Sequence, residues 1–318
     1  MLLDAESLWS SARDNPPMHL MIPYASTLDD DGLRRLQLPH LSSLLGLFQV
    51  DGEALGSDET AARMPHELAL EVWQAPPPSQ HDVPPWARLT PMHFSVSTDQ
   101  VTALDPQVLQ LTDPESQAFF DVLAPLFAAE DGWQHQWQGA LDWRVAHAQF
   151  RGLDKNSSAS LDRLVNRSLT PWMPQARPLR RLLNEVQMSL HEHPLNQARE
   201  ARGQLPVNAV WISDVGPCRD ASAPFIAPDL VFDPRLRPAW LAGDWAAWAQ
   251  AWQALDHGPV RALLQALQDG ASPAELSLTL CGERLARRFK PTQRSPWQRL
   301  WHLLKAPQAH VHAVLESL

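Results

Sequence analysis

The chain has 318 residues, 44% of them hydrophobic and 19% charged, with a formal net charge of -10 at pH 7. That length and composition suit a globular protein with a large core, and the negative charge argues against general affinity for nucleic acid or an anionic membrane, because no overall positive field exists to displace counterions. Cys218 and Cys281 are the only cysteines, without a Cys-x-x-Cys, which excludes a zinc ribbon or a disulfide framework and makes a reducing cytoplasm the simplest setting.

No apolar run approaches the roughly 20 residues of a membrane helix. Residues 1–17 carry acids and no long apolar core, so they read as an N-terminal appendage and not as a secretory signal. Met18 to Tyr24 is a short apolar run that predicts a buried strand, and Asp29-Asp30-Asp31-Gly32 reads as a solvated turn. Pro39 suits the first turn of a helix with Leu41, Leu44, Leu45 and Phe48 on one face. Residues 49–64 read as loop, and Pro65 opens a helix through Trp73. Ala75 to Pro85 is a stiff proline-rich connection and the best candidate boundary.

Trp86 to Val96 predicts a strand, with Pro91 placing it at a sheet edge or marking its start. Asp113 and Pro114 predict the cap and first position of a helix that buries Phe119, Phe120 and Leu123. Trp133–Trp137 and Leu141–His147 alternate around Gln138-Gly139-Ala140 and predict a β-hairpin. Ser157 or Ser158 predicts the cap of a helix burying Leu161, Leu164, Val165 and Leu169.

The densest run of polar groups within apolar periodicity is Leu179 to Gly216. Leu179, Leu182, Leu183, Val186 and Leu190 predict one buried helical stripe. Asn184, Gln187 and His191 share a second face; on a helix read as otherwise buried they need partners, as a hydrogen-bonded seam or as one wall of a pocket. Pro194 stops that helix, a short one runs from Asn196 to Ala201, and Gly203 follows its end. Arg199 and Arg202 place two guanidinium groups together, suited to a carboxylate or phosphate, or else to pairing with Glu192 or Glu200. Leu205 to Ile212 predicts a strand carrying Asn208 and Trp211 and closing on Ser213-Asp214-Val215-Gly216, the kind of strand end where an open α/β sheet places ligands. His191 and His193 cannot share a metal on a helix, since successive residues point about 100° apart. P-loop, Gly-x-Ser-x-Gly and dinucleotide fingerprints are absent.

Trp240 to Leu255 predicts one helix with Trp245, Trp248 and Trp252 in a stripe, Pro259 to Gln268 a second, and Leu276, Leu278 and Leu280 a late strand. Ser295-Pro296 opens a terminal helix bearing Trp297 and Trp301. Between Gly282 and Lys305, seven Lys and Arg residues, Arg284 among them, stand against Glu283 alone: either a solvated face, or a local positive field for a phosphate ester or an acidic protein face. Together the elements predict an α/β protein with a mixed, mostly parallel central sheet, flanking helices and a β-hairpin insertion. Residues 18–318 read as a single domain, with room for a subdomain around 86–150.

The strings NEVQM, HPLNQAREARG, LPVNAVW and ISDVG between Asn184 and Gly216, with LPHLSSLL, WARLTPMHFSV, GDWAAWAQAWQALD and LTLCGERLARRF elsewhere, resemble a proteobacterial family labelled cofactor-independent phosphoglycerate-mutase-like, also labelled pathogenicity-factor regulatory protein. The likeness runs from Met18 to about Lys305. Through that family the chain resembles the metal-dependent phosphoglycerate mutases of the alkaline phosphatase superfamily, which implies their fold. Their first strand ends in Asp-Gly and a late strand in Asp-His; here the first ends in Tyr24-Ala25 and the late one in Gly282-Glu283-Arg284. Their Pro-Asn-Leu is Pro39-His40-Leu41, while Arg202-Gly203 through Pro206-Val207-Asn208, before Trp211, is kept in outline.

A two-metal phosphoryl-transfer site needs several carboxylates and imidazoles around cations about 3.5–4 Å apart, and a hydroxyl nucleophile. The resemblance with these departures implies a scaffold that kept its shape and lost its metals, using no cofactor and acting in a regulatory role on a small anionic molecule or a protein partner. Its ligand-binding candidates are Asn184, Gln187, Arg199, Arg202, Asn208, Trp211, Ser213 and Arg284. The alternative is an active isomerase or phosphoesterase with His191, Asp214 and Glu283 as acid/base candidates. A homodimer formed through the Trp-rich terminal helices is a third expectation.

Overall fold

The computed structural model describes residues 18–27, 30–34, 36–56, 61–73, 84–216, 230–292 and 308–318. The expected appendage at 1–17, most of the proline-rich connection and the helix expected after Ser295 lie outside these residues. The chain divides into two compact units, one built from residues 1–60, 64–75 and 225–318, the other from 61–63 and 76–224. Among the described residues no helix is long and apolar enough to cross a membrane.

The first unit begins with β1 (Met18–Ile22), α1 (Pro39–Leu47), β2 (Phe48–Val50), β3 (Leu55–Gly56) and α2 (Pro65–Trp73). The second unit holds β4 (Trp86–Met92), β5 (Phe94–Val96), β6 (Val101–Ala103), α3 (Asp113–Leu123), β7 (Gln134–Gly139), β8 (Asp142–Ala146), α4 (Arg177–Leu190), α5 (Pro194–Ala201) and β9 (Ala209–Gly216). The first then resumes with β10 (Leu230–Phe232), α6 (Trp245–Leu255), α7 (Arg261–Gln268), β11 (Leu276–Cys281), β12 (Leu285–Pro291) and α8 (Gln308–Glu316).

In the first unit the sheet order is β10-β1-β11-β12-β2, with β3 also on β12. β1 runs parallel to β10 and β11, whereas β12 is antiparallel to β11, β2 and β3. The sheet is therefore mixed and not mostly parallel, because β11 turns directly into β12 at Gly282–Arg284 instead of crossing over through a helix. One cation hides β12 in the sequence: Arg287, between Leu285 and Phe289 on the same face, breaks the apolar alternation that these two would otherwise show. Residues 49–64, read as loop, contribute β2 and β3.

β1 is buried at every residue. Met21 packs with Leu230, Cys281, Ala286 and Ala69 of α2, while Leu20 and Ile22 alternate to the opposite face with their partners Leu278 and Leu280. His19 is buried in the same strand, its Nε2 2.9 Å from Thr279 Oγ1 and its Nδ1 against the Ser277 hydroxyl. Burial, with Arg288 and Lys290 nearby, pushes its pKa down to about 3, so it sits in the sheet as a neutral imidazole. The helix expected over Trp240–Leu255 is two: Gly243, at φ +66°, ends Arg237–Ala242, and Asp244 caps α6 by accepting the Ala247 N–H at 3.0 Å.

The second unit carries an antiparallel sheet, β7-β8-β4-β9. The expected strand Trp86–Val96 breaks at His93, and its second half pairs with β6. Pro91 lies in an interior strand and costs no ladder bond on the β8 side, since β4 pairs with β8 only through Leu89 and Pro91 faces only Val210 of β9. Thr112, one residue before the expected cap, accepts the Glu115 N–H for α3. The fully buried Ser116 hydroxyl accepts the indole N–H of Trp137 (3.0 Å) and of Trp143 (2.9 Å) and donates to Ala140 O (2.9 Å). Ser160, not Ser157 or Ser158, precedes the short helix Leu161–Leu164; the Ser158 hydroxyl donates instead to Ile212 O of the edge strand β9.

Candidate functional site

The residues singled out in the sequence fall into one set per unit. In the second unit α4 is amphipathic: Leu179, Leu182, Leu183, Val186 and Leu190 are buried, and Asn184, Gln187 and His191 are exposed. The expectation of an otherwise buried helix does not hold: one face is open to water, so these polar groups are hydrated and need no protein partner. His191 Nε2 lies 3.9 Å from Glu192 Oε1, with both side chains exposed.

Arg199 is the opposite case, fully buried on α5. Its Nη1 donates to Glu115 Oε2 at 2.7 Å, its Nε to Leu205 O at 2.7 Å and its Nη2 to Leu109 O at 2.6 Å. Arg202 donates from Nη2 to the other Glu115 oxygen at 2.7 Å and from Nε to Gln204 Oε1 at 2.9 Å. The two guanidinium groups do grip one carboxylate, and it belongs to the first turn of α3, not to Glu192 or Glu200. This forked, charge-assisted arrangement ties α5 to α3 and satisfies every nitrogen-bearing arm of Arg199. Helical spacing brings out the pair of arginines; a partner 84 residues away in sequence leaves no local signal.

Asn208 bridges the break between β4 and β5, its Oδ1 accepting the Phe94 N–H at 2.7 Å and its Nδ2 donating to Phe94 O at 2.9 Å. Asn196, absent from the sequence candidates, does the same for Val207 at 2.8 Å in each direction and also donates to Leu190 O at 3.0 Å. Trp211 is fully buried and donates from Nε1 to Ala159 O at 2.8 Å. Ser213 is buried beside exposed Asp214, which holds a left-handed backbone at φ +54°.

The first unit offers the position where open α/β sheets hold ligands, the carboxyl ends of its parallel strands. After β1 comes buried Tyr24, at φ +59°, with its ring 5.0 Å from that of His66 and 5.3 Å from that of Trp240. The indole N–H groups of Trp248 and Trp240 donate to Tyr24 O at 3.0 Å and Ser26 O at 2.9 Å. After β10, buried Asp233 is held by Arg235 through Nε at 2.8 Å and Nη2 at 2.7 Å. After β11 stand Gly282, buried Glu283 and Arg284. The backbone N–H groups of Arg284 and Leu285 both donate to Leu318 O, and the Ser26 hydroxyl donates to Leu315 O. A Cβ on Gly282 would lie 2.6 Å from Leu318 Cβ and 2.7 Å from its carbonyl carbon, so only glycine lets the end of α8 seat there. Arg284 itself donates to Glu316 O at 3.3 Å. Tyr24 and His66 meet only in the folded unit, because they come from different segments.

The two cations of a metal-dependent phosphoglycerate mutase would not fit this donor set. The group ending β1 is a phenol packed between His66 and Trp240. Among the described residues no three His, Cys, Asp or Glu side chains group so as to hold a metal ion.

No protein-family model matches the chain, and no curated protein matches it. Among solved structures the chain is similar to the cofactor-independent phosphoglycerate mutase from Thermoplasma acidophilum DSM 1728, at 13% identity over 95% of this chain and 99% of that one, with a TM-score of 0.33. It is also similar to the PH0037 protein from Pyrococcus horikoshii, at 9% identity over 86% of this chain and 87% of that one, with a TM-score of 0.41. These likenesses assign no residue a role.

Proposed function

We propose that this chain is a binding protein on a phosphomutase-like scaffold, taking a small anion or an acidic protein surface in a regulatory role, and that it does not carry out two-metal phosphoryl transfer. One observation carries the reading: Tyr24 after β1, Asp233 after β10 and the amides after β11 are spent on the fold. Tyr24 packs against His66 and Trp240, Asp233 is held by Arg235, and the amides of Arg284 and Leu285 serve Leu318. A two-cation site needs carboxylates and imidazoles convergent at such strand ends. The sequence motifs Pro39-His40-Leu41 and Arg202-Gly203 through Asn208 support the scaffold part of the reading. Arg287, Arg288 and Lys290 support an anionic ligand, although Asp51 already lies 3.4 Å from Arg288 and 3.0 Å from Lys290.

The test is an assay of phosphoglycerate interconversion and phosphate-ester hydrolysis with manganese or zinc added, beside a melt in the presence of phosphorylated metabolites. We expect no turnover and a raised midpoint with at least one anion, since a ligand of the folded state stabilises it by mass action. Turnover that disappears in Glu283→Gln would overturn the proposal in favour of an active isomerase or phosphoesterase.

A further inference from the structure

A second group of side chains in the first unit is arranged for a different chemistry. Asp256 begins the π-helical turn Asp256–Val260 that joins α6 to α7, and its carboxylate is fully buried. Oδ1 accepts the Leu41 N–H at 2.7 Å, and Oδ2 accepts the His40 N–H at 3.2 Å and faces His40 Nδ1 at 2.8 Å. An ionised carboxylate can only accept, so the proton of neutral His40 is on Nδ1 and its Nε2 keeps a lone pair. The next residue along the π turn, His257, places Nδ1 2.8 Å from Gln253 O. A backbone carbonyl also only accepts, so His257 has the same tautomer. The His40 side chain is 26% exposed and His257 is exposed.

The two ring centroids are 5.4 Å apart, with planes at 76°. Two imidazoles bound to one cation through nitrogens at about 2.0–2.1 Å, with a tetrahedral angle between them, have centroids roughly 5 Å apart. Histidine ligands of metals nearly always donate their other ring N–H to a carboxylate or a backbone carbonyl. Here one ring has each kind of partner. A π turn inserts a residue into the helix, and such insertions recur at functional sites.

We propose that His40 and His257 form a site for one divalent transition-metal ion of the zinc class, bound through the two Nε2 atoms with water completing the shell. Asp256 and the Gln253 carbonyl are positioning groups that fix the tautomers. Imidazole pairs select zinc, nickel or copper over magnesium and calcium, which prefer oxygen. The site shares no residue with the strand ends and does not depend on the proposed function.

The test uses the full chain stripped with a chelator and titrated with nickel, zinc or copper. The expected stoichiometry is one ion per chain, with affinity lowered at least about tenfold by His257→Ala and about 10- to 100-fold by Asp256→Asn, and unchanged by His191→Ala. Copper bound to the parent should show two imidazole nitrogens by electron paramagnetic resonance, and one in His257→Ala. Because His257 is exposed, its variant keeps the fold and decides the matter even if Asp256→Asn unfolds. No stoichiometric ion on the parent, or equal affinity in His257→Ala, would overturn the proposal. Two ions per chain retained in His257→Ala would instead count against the proposed function.

Discussion

Replacing Arg199 by Met tests whether the Glu115 clamp holds the second unit together. The substitution keeps an apolar stem of similar length but removes three donors that sit 2.6–2.7 Å from Glu115, Leu205 O and Leu109 O. Glu115 would keep only Arg202, whose side chain is 53% exposed. Removing one partner of a buried ion pair costs about 3–5 kcal/mol, because the other charge and the stranded carbonyls stay desolvated. At about 2–4 °C per kcal/mol for a unit of this size, the midpoint should fall by roughly 10 °C. Arg199→Lys should lie between parent and Met, since a single ammonium cannot reach three divergent acceptors as a planar fork does. Arg202→Ala should cost no more than about 1 kcal/mol, as an exposed pair does. The assay is urea and thermal unfolding followed by Trp fluorescence. Equal losses in Arg199→Met and Arg202→Ala would refute the reasoning, since the energy would then not follow burial.

Other perturbations read other parts of the molecule. His19 in the unfolded chain takes up a proton near pH 6.5 but in the fold only near pH 3, so between these values the unfolded state binds more protons and stability rises with pH. Acidification from pH 6.5 should therefore cost up to about 1.4 kcal/mol per unit, a slope that His19→Asn should flatten in urea titrations; an unchanged slope would refute it. Ser116→Ala leaves the buried indole N–H of Trp143 and the half-buried one of Trp137 without their acceptor and should cost about 2 kcal/mol, read from the same unfolding curves. Gly282→Ala should drive the end of α8 off the β11 turn, seen as faster amide exchange at Arg284 and Leu285; unaltered exchange would mean that the turn adapts.

Much of the local structure is legible along the chain. Pro39, Pro65 and the Leu179–Leu190 periodicity place α1, α2 and the buried stripe of α4, because each is a short-range pattern of backbone restriction or helical spacing. Apolar alternation marks β11, and the stretch before it shows where α7 ends. The β12 strand escapes because its register, with Arg288 opposite Thr279, is set by pairing partners and not by its own alternation.

The meaning of the polar residues was decided only by the tertiary structure. Arg199 and Asn184 look alike in sequence, polar groups on neighbouring helices. One is sealed against Glu115 and two carbonyls, and the other faces water. Likewise Asp256 and His40, 216 residues apart, become a carboxylate–imidazole pair only when α1 docks on the π turn. Helical period and turn chemistry act over a few residues and are written into the chain. Desolvation, ion pairing and ring packing depend on which distant segments meet, and no local pattern encodes that meeting.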